Sequence, residues 1–158
     1  MNSQTLFKSN SKVFPIISRG TTGIYVKQLQ LRLQDLGAHV LADGLFDSET
    51  EAAVKTFQQQ QRLVVDGIVG DQTWRELLPI LQLGSIGDEV KRLQIRLNFL
   101  IGTDLEIDGI FGMMTAAAVK RFQAQFAPPV NEIVDLRTWD AMLRAVILSV
   151  DVEGYCRG

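Results

Sequence analysis

The chain has 158 residues, 46% of them hydrophobic and 22% charged, with a net charge of −2. That length suits one domain or two small ones, and the mild acidity leaves no electrostatic footprint for nucleic acid. No apolar run approaches the ~20 residues of a membrane span, and a single cysteine, Cys156, excludes an intrachain disulfide.

Residues 1–14 read as an N-terminal extension with two short apolar pieces, Leu6-Phe7 and Val13-Phe14. No early basic cluster precedes a long apolar stretch, so no export address is visible. A first helix is expected over 24–36, where Val26, Leu29, Leu33 and Leu36 recur three or four apart. Gly37 supplies its stop. Asp43-Gly44-Leu45-Phe46-Asp47 follows as a turn, because Gly accepts positive φ without steric penalty.

A second helix is expected over 48–61, with Ser48 and Glu51 at capping-box spacing. Leu63-Val64-Val65 is a short extended piece suited to local pairing. The stretch Asp66-Gly67-Ile68-Val69-Gly70-Asp71-Gln72-Thr73-Trp74 is the chain's strongest turn-to-helix signal. Asp71 is its candidate N-cap, and a third helix is expected over 71–78.

The same order then returns. Pro15-Ile16-Ile17 reappears as Pro79-Ile80-Leu81, an offset of 64 (79 − 15), and Val26, Leu29, Gln30 and Leu33 reappear as Val90, Leu93, Gln94 and Leu97. After one inserted residue, Asp43-Gly44 returns as Asp108-Gly109, and Thr50, Phe57 and Gln58 return as Thr115, Phe122 and Gln123. Thr73-Trp74 returns as Thr138-Trp139. The second trio of helices is expected over 88–100, 113–125 and 135–148. The reading is a duplication: an all-α chain of two tandem three-helix units packed through a short linker, whose Ile80, Leu81 and Leu83 are expected in the seam. The units are 15–78 and 79–143, followed by a C-terminal helix extension and tail over 144–158.

Three stretches carry a family resemblance: Gly23-x-x-Val26-x-x-Leu29-Gln30-x-x-Leu33, then Asp108-Gly109-x-Phe111-Gly112-x-x-Thr115-x-x-Ala118-Val119-x-x-Phe122-Gln123, then Asp66-Gly67-Ile68-Val69-Gly70-x-x-Thr73-Trp74. The pattern resembles the type 1 peptidoglycan-binding domain, in two copies spanning nearly the whole chain. The resemblance implies a compact three-helix fold that binds bacterial cell wall without cutting it. Two departures fall in the first copy, with Asp47 where the family prefers Gly and Arg62 where a helix-ending Gly is usual. In the second copy Asn131-Glu132-Ile133-Val134-Asp135 replaces the second glycine loop, so that copy is expected to be a structural partner only, if binding needs the loop.

Asp43, Asp66 and Asp108 could form catalytic carboxylate pairs, but each directly precedes Gly and reads better as a turn residue bonding its own backbone. Phe46, Phe111, Trp74 and Trp139 read as core plugs ahead of sugar platforms. Thr73 and Thr138 are expected to bond the preceding loop, and Gln30, Gln58, Gln94 and Gln123 to bond loop backbones in place of glycan. The physical case for binding rests on main-chain donors near Gly44, Gly67, Gly70, Gly109 and Gly112, offered to wall-peptide carboxylates beside helix N-termini. The candidate ligand-binding set is therefore Asp43, Gly44, Phe46, Asp66, Gly67, Gly70, Asp108, Gly109, Phe111 and Gly112.

No catalytic or metal-binding set is expected, and no cofactor. His39 stands alone, and Cys156 lies in a tail of small and charged residues. The expected partner is peptidoglycan. Two functions stand open: a non-catalytic wall-binding module, or a scaffold subunit of a larger assembly that keeps the fold without the ligand. For the second speak the N-terminal extension and the apolar tail Val146-Ile147-Leu148 with Val150, which reads either as helix continuing into the core or as a docking surface. With no export signal the chain reads as cytoplasmic, or as a cell-wall or periplasmic protein if a leader has been removed or export is non-standard.

Overall fold

The computed structural model describes residues 14–157, with side chains as far as residue 149. The expected extension over 1–14 lies outside the described residues except for Phe14. The chain divides into two compact units, one ending at Leu78 and the other beginning at Pro79. The first holds α1 (Ile24–Asp35), α2 (Ser48–Gln60) and α3 (Asp71–Leu77). The second holds α4 (Asp88–Ile101), α5 (Met113–Phe126) and α6 (Leu136–Arg157). Among the described residues there is no strand, only four isolated antiparallel bridges.

The apolar spacing of each helix becomes one buried face. In the first unit Val26, Leu29 and Leu33 of α1 meet Val54 and Phe57 of α2, with Phe46, Val69, Trp74 and Leu77 all buried. In the second unit Val90, Leu93, Leu97, Phe111, Val119, Phe122, Val134 and Trp139 occupy the matching positions. Each unit is small enough to be marginal alone, since a chain of this size buries only ~60% of its unfolded surface. The two tryptophans are therefore large contributors, and each also finds a polar partner. Trp74 Nε1 donates to the Pro15 carbonyl at 2.9 Å, and Trp139 Nε1 to the Pro79 carbonyl at 2.8 Å. Phe14 stacks on Trp74 with centroids 4.5 Å apart, so it belongs to the first core and not to an extension.

The bridges tie the segment before each unit's first helix to its two loops. Ile17 pairs with Val69 and Thr22 with Leu45; Leu81 pairs with Val134 and Ile86 with Ile110. Local pairing thus uses these residues instead of Leu63-Val64-Val65. Of the three apolar residues in the join, Leu81 is buried by pairing with Val134 inside the second unit, whereas Ile80 and Leu83 are exposed.

Helix ends differ from expectation at three places. Asp47, not Ser48, caps α2, its carboxylate accepting the Thr50 amide at 2.9 Å. Gly70 is the N-cap of α3, which leaves Asp71 inside the first turn, where a negative charge complements the dipole. Asp135 instead precedes α6 and accepts the Thr138 amide at 3.2 Å, and α6 runs on to Arg157. Along that extension Ile147 is buried and Leu148 exposed, so the apolar tail is split between core and surface.

Candidate functional site

Each helix pair is joined by a corner organised on one glutamine. Gln30, Gln58, Gln94 and Gln123 sit one residue after a buried Leu or Phe, and each is 1% exposed. A buried amide must be matched at both ends, since an unpaired one costs about 1–3 kcal/mol. Gln58 Nε2 donates to Asp66 Oδ1 at 3.0 Å, to the Ile68 carbonyl at 2.9 Å and to Thr73 Oγ1 at 3.2 Å. Its Oε1 accepts the amides of Asp66 at 3.2 Å and Gly67 at 2.9 Å.

The other three corners repeat the pattern. Gln30 Nε2 reaches Asp43 Oδ1, the Leu45 carbonyl and Thr50 Oγ1, and its Oε1 takes the Gly44 amide at 2.8 Å. Gln94 does the same with Asp108, Ile110, Thr115 and the Gly109 amide. Gln123 does so with Asn131, Ile133 and Thr138, and accepts the Asn131 and Glu132 amides at 3.0 and 2.8 Å. The threonines and glutamines thus bond the loops, as their positions implied.

Two expectations about these corners are corrected. The amides of Gly44, Gly67 and Gly109 point inward to glutamine and are not offered to a ligand, because a buried glutamine carbonyl needs them. The Gly112 amide is turned back on the Ile110 carbonyl at 3.0 Å. The Asn131-Glu132 loop is not a lost corner. Glu132 takes φ 64, the left-handed conformation that Gly67 and Gly109 hold at φ 73 and 74, and the glutamine contacts are intact. Arg62 likewise takes φ 60 at the end of α2, in place of the usual glycine.

Phe46 and Phe111 are each 1% exposed, so their rings plug the cores and present no face for stacking. What the corners do show to solvent is a repeated set: the carboxylates of Asp43, Asp66 and Asp108, and the side chains of Leu45, Ile68 and Ile110. The Asp66 carboxyl is held below its ordinary range by the Ile68 amide, then by Gln58. The Asp108 carboxyl is lowered by Gln94 and then by the Ile110 amide. Asp66 and Gly70 line a depression of about 250 Å³ with Ile16, Val64 and Ile68. Asp108 and Gly112 line another of about 370 Å³ with Ile110, Met113 and Met114. Asp43 and Gly44 share the Gln30 corner. Among the described residues no group of three His, Cys, Asp or Glu side chains could hold a metal ion.

A residue that sequence reading missed is Arg32. It is buried, pairs with Asp35 at 3.5 Å, and its Nε donates to the Leu77 carbonyl at the end of α3. A cation there complements the C-terminal partial charge of the seven-residue α3. Its signal was the repeat itself, since Arg96 stands 64 residues on and lies over the Trp139 ring at 5.7 Å.

Comparison with known proteins follows the same division. The family described as "Putative peptidoglycan binding domain" matches residues 22–77 and again 86–142. The N-acetylmuramoyl-L-alanine amidase CwlM of Mycobacterium tuberculosis is 37% identical over 94 residues, which is 52% of this chain and 23% of that protein. The N-acetylmuramoyl-L-alanine amidase CwlL of Bacillus licheniformis is 31% identical over 150 residues, 73% of this chain and 42% of that protein. The chain thus spans less than half the length of these relatives. The crystal structure of the SleB N-terminal domain is 38% identical, covering 40% of this chain and 88% of that one, with a TM-score of 0.39. This chain belongs to the peptidoglycan binding domain family and carries its domain twice.

Proposed function

We propose that the chain is a non-catalytic module that holds to bacterial peptidoglycan through the outer faces of its corners. The observation that carries this is the domain matched twice, over residues 22–77 and 86–142. The amidases it resembles are named for cleaving the bond between muramoyl sugar and L-alanine, and in this reading the chain supplies the hold and not the cleavage. The carboxylate and isoleucine beside each depression give a shallow, mixed surface suited to weak contact with wall peptides. Two copies on one chain raise retention through effective concentration. Its place of action in this reading is the wall.

Incubation with purified sacculi tests both halves of the reading. The protein is expected to stay on the insoluble wall while suspension turbidity holds constant. Loss of turbidity in step with protein concentration would make it an enzyme, and protein left in the supernatant would refute wall binding. A second reading, a scaffold subunit, is favoured by the exposed Phe126 and Leu148 beside a depression of about 560 Å³. Under that reading the protein copurifies with another polypeptide and ignores the wall.

A further inference from the structure

Each corner glutamine closes a five-residue pattern that occurs four times. Val26-Lys27-Gln28-Leu29-Gln30, Val54-Lys55-Thr56-Phe57-Gln58, Val90-Lys91-Arg92-Leu93-Gln94 and Val119-Lys120-Arg121-Phe122-Gln123 share Val, Lys, an apolar residue and Gln in register. The valine, the apolar residue and the glutamine are buried, which accounts for three of the four. The lysine has no core to fill. It sits three residues before the glutamine, and so on the helix side that faces the corner loop.

Two of these lysines lie across the corner glycine itself. Lys55 Cε is 3.0 Å from where a Cβ on Gly67 would stand, and Lys91 Cε is 3.2 Å from the matching point on Gly109. The glycine's missing side chain leaves a notch: at Gly67 the Lys55 stem shares it with Glu51, whose Cγ is also 3.0 Å away, and at Gly109 the Lys91 stem lies beside the Gly87 carbonyl oxygen at 3.1 Å. The tips stay in solvent: the two side chains are 47% and 51% exposed. Each makes an ion pair on its own helix, with Glu51 at 3.5 Å from Lys55 Nζ and Asp88 at 4.0 Å from Lys91 Nζ, and the Asp66 and Asp108 carboxylates stand one residue before the same glycines. Pairs whose lysine tip stays in solvent contribute roughly 0–1 kcal/mol and yield readily to a competing anion, the half-buried Glu51 being the better shielded of the two carboxylates. The exposed Ile68 and Ile110 directly follow Gly67 and Gly109 in the chain and give each corner an apolar side chain in solvent.

The fourth corner differs at the same point. Where the others carry glycine, Glu132 holds the left-handed conformation. A carboxylate-bearing side chain therefore leaves the backbone where Gly67 and Gly109 leave a notch.

We propose that Lys55 and Lys91 are the cationic contacts of the chain for free carboxylates of wall peptides, and that the corner of Lys120 and Glu132 is closed to them. This rests on the wall-binding reading above. It predicts a recognition chemistry for that reading: a carboxylate next to a small apolar group, held by an ammonium steadied along a glycine.

The test uses the full chain and sacculi stripped of phosphate polymers, so that stem peptides are the main source of anions. K55M and K91M keep the stem and remove the charge. Each should weaken retention about two- to fivefold, and the double variant about tenfold. K55R and K91R should restore it. K120M should retain wild-type binding, and wild-type protein should bind sacculi with amidated carboxylates as weakly as the double variant binds untreated ones. Unchanged retention of the double variant, or of wild type on amidated sacculi, overturns the lysine assignment while leaving wall binding in place. An equal loss in K120M overturns the closed fourth corner. Wild type left in the supernatant of untreated sacculi overturns the wall-binding reading and this proposal together. Should the methionine variants lose helicity, the arginine variants and the amidated sacculi decide alone.

Discussion

Gln58 Oε1 accepts the amide of Gly67 at 2.9 Å, across nine residues of chain. That bond sets the loop between α2 and α3, because the same side chain also holds Asp66, Ile68 and Thr73. Gln58→Leu keeps the volume and leaves the buried Gly67 amide and the Thr73 hydroxyl without this partner. At about 1–3 kcal/mol for each, the first unit should lose ~2–5 kcal/mol. Urea denaturation followed by tryptophan fluorescence in a Trp139→Phe background, where Trp74 is the reporter, reads this, and a change under 1 kcal/mol would mean the corner is not held as described.

Gln58→Glu poses a different question with a definite sign. The new carboxylate would sit buried beside Asp66 Oδ1, a like charge, so its folded pKa should rise above its unfolded one. Its protonated form then fits and its charged form does not. Relative to wild type, the variant should be least stable at neutral pH and recover as pH falls through the raised folded value. A stability deficit independent of pH would contradict this.

The corner aspartates act in the opposite direction. Asp47 is lowered first by the Thr50 amide, Asp66 by the Ile68 amide and Asp108 by Gln94. Their folded pKa values lie below the unfolded ones, so their contribution is present above the ordinary aspartate range and is lost as pH falls through the folded values. Asp66→Asn with Asp108→Asn should flatten the acid limb of a plot of melting temperature against pH. An acid limb as steep as that of wild type would place the dependence elsewhere.

Glu132 and Arg62 hold left-handed backbones at φ 64 and 60, which costs a non-glycine residue about 1–2 kcal/mol. Replacement by glycine relieves that strain but loosens the unfolded chain by about 0.4–1 kcal/mol. Glu132→Gly and Arg62→Gly should each therefore stabilise by roughly 0.5–1 kcal/mol. For a unit of this size that is a rise of several degrees in Tm. A fall in Tm for either variant would show that the side chain contributes more than its strain removes.

Much of the fold was legible because apolar spacing and duplication reinforce each other. The bounds expected for α1, α2 and α5 fall within one residue of those observed, since Val26, Leu29 and Leu33, or Val119 and Phe122, leave little choice of face. The corners were legible in their letters and not in their direction. Asp-Gly announces a turn, but only the fold reveals that Gln30, Gln58 and Gln94 draw the glycine amides inward. The fourth corner differs from its letters for the same reason. Asn131-Glu132 lacks the glycine, yet Asn131 follows Gln123 by eight residues, as Asp66 follows Gln58. That spacing carries the geometry. Ser48 and Glu51 had the right separation for a cap, but Asp47, one residue earlier, holds the extended backbone of an N-cap and its carboxylate accepts the Thr50 amide, which leaves Ser48 inside the helix.

Two domains of this family, built on inward-facing glutamine corners, are proposed to bind wall with their outer faces without cutting it. An equilibrium sedimentation isotherm on purified sacculi tests it most directly. Saturable pelleting of intact chain, weakened by high salt and with no soluble wall fragments released, is the expected result. Protein that stays in solution at every sacculus concentration would contradict it.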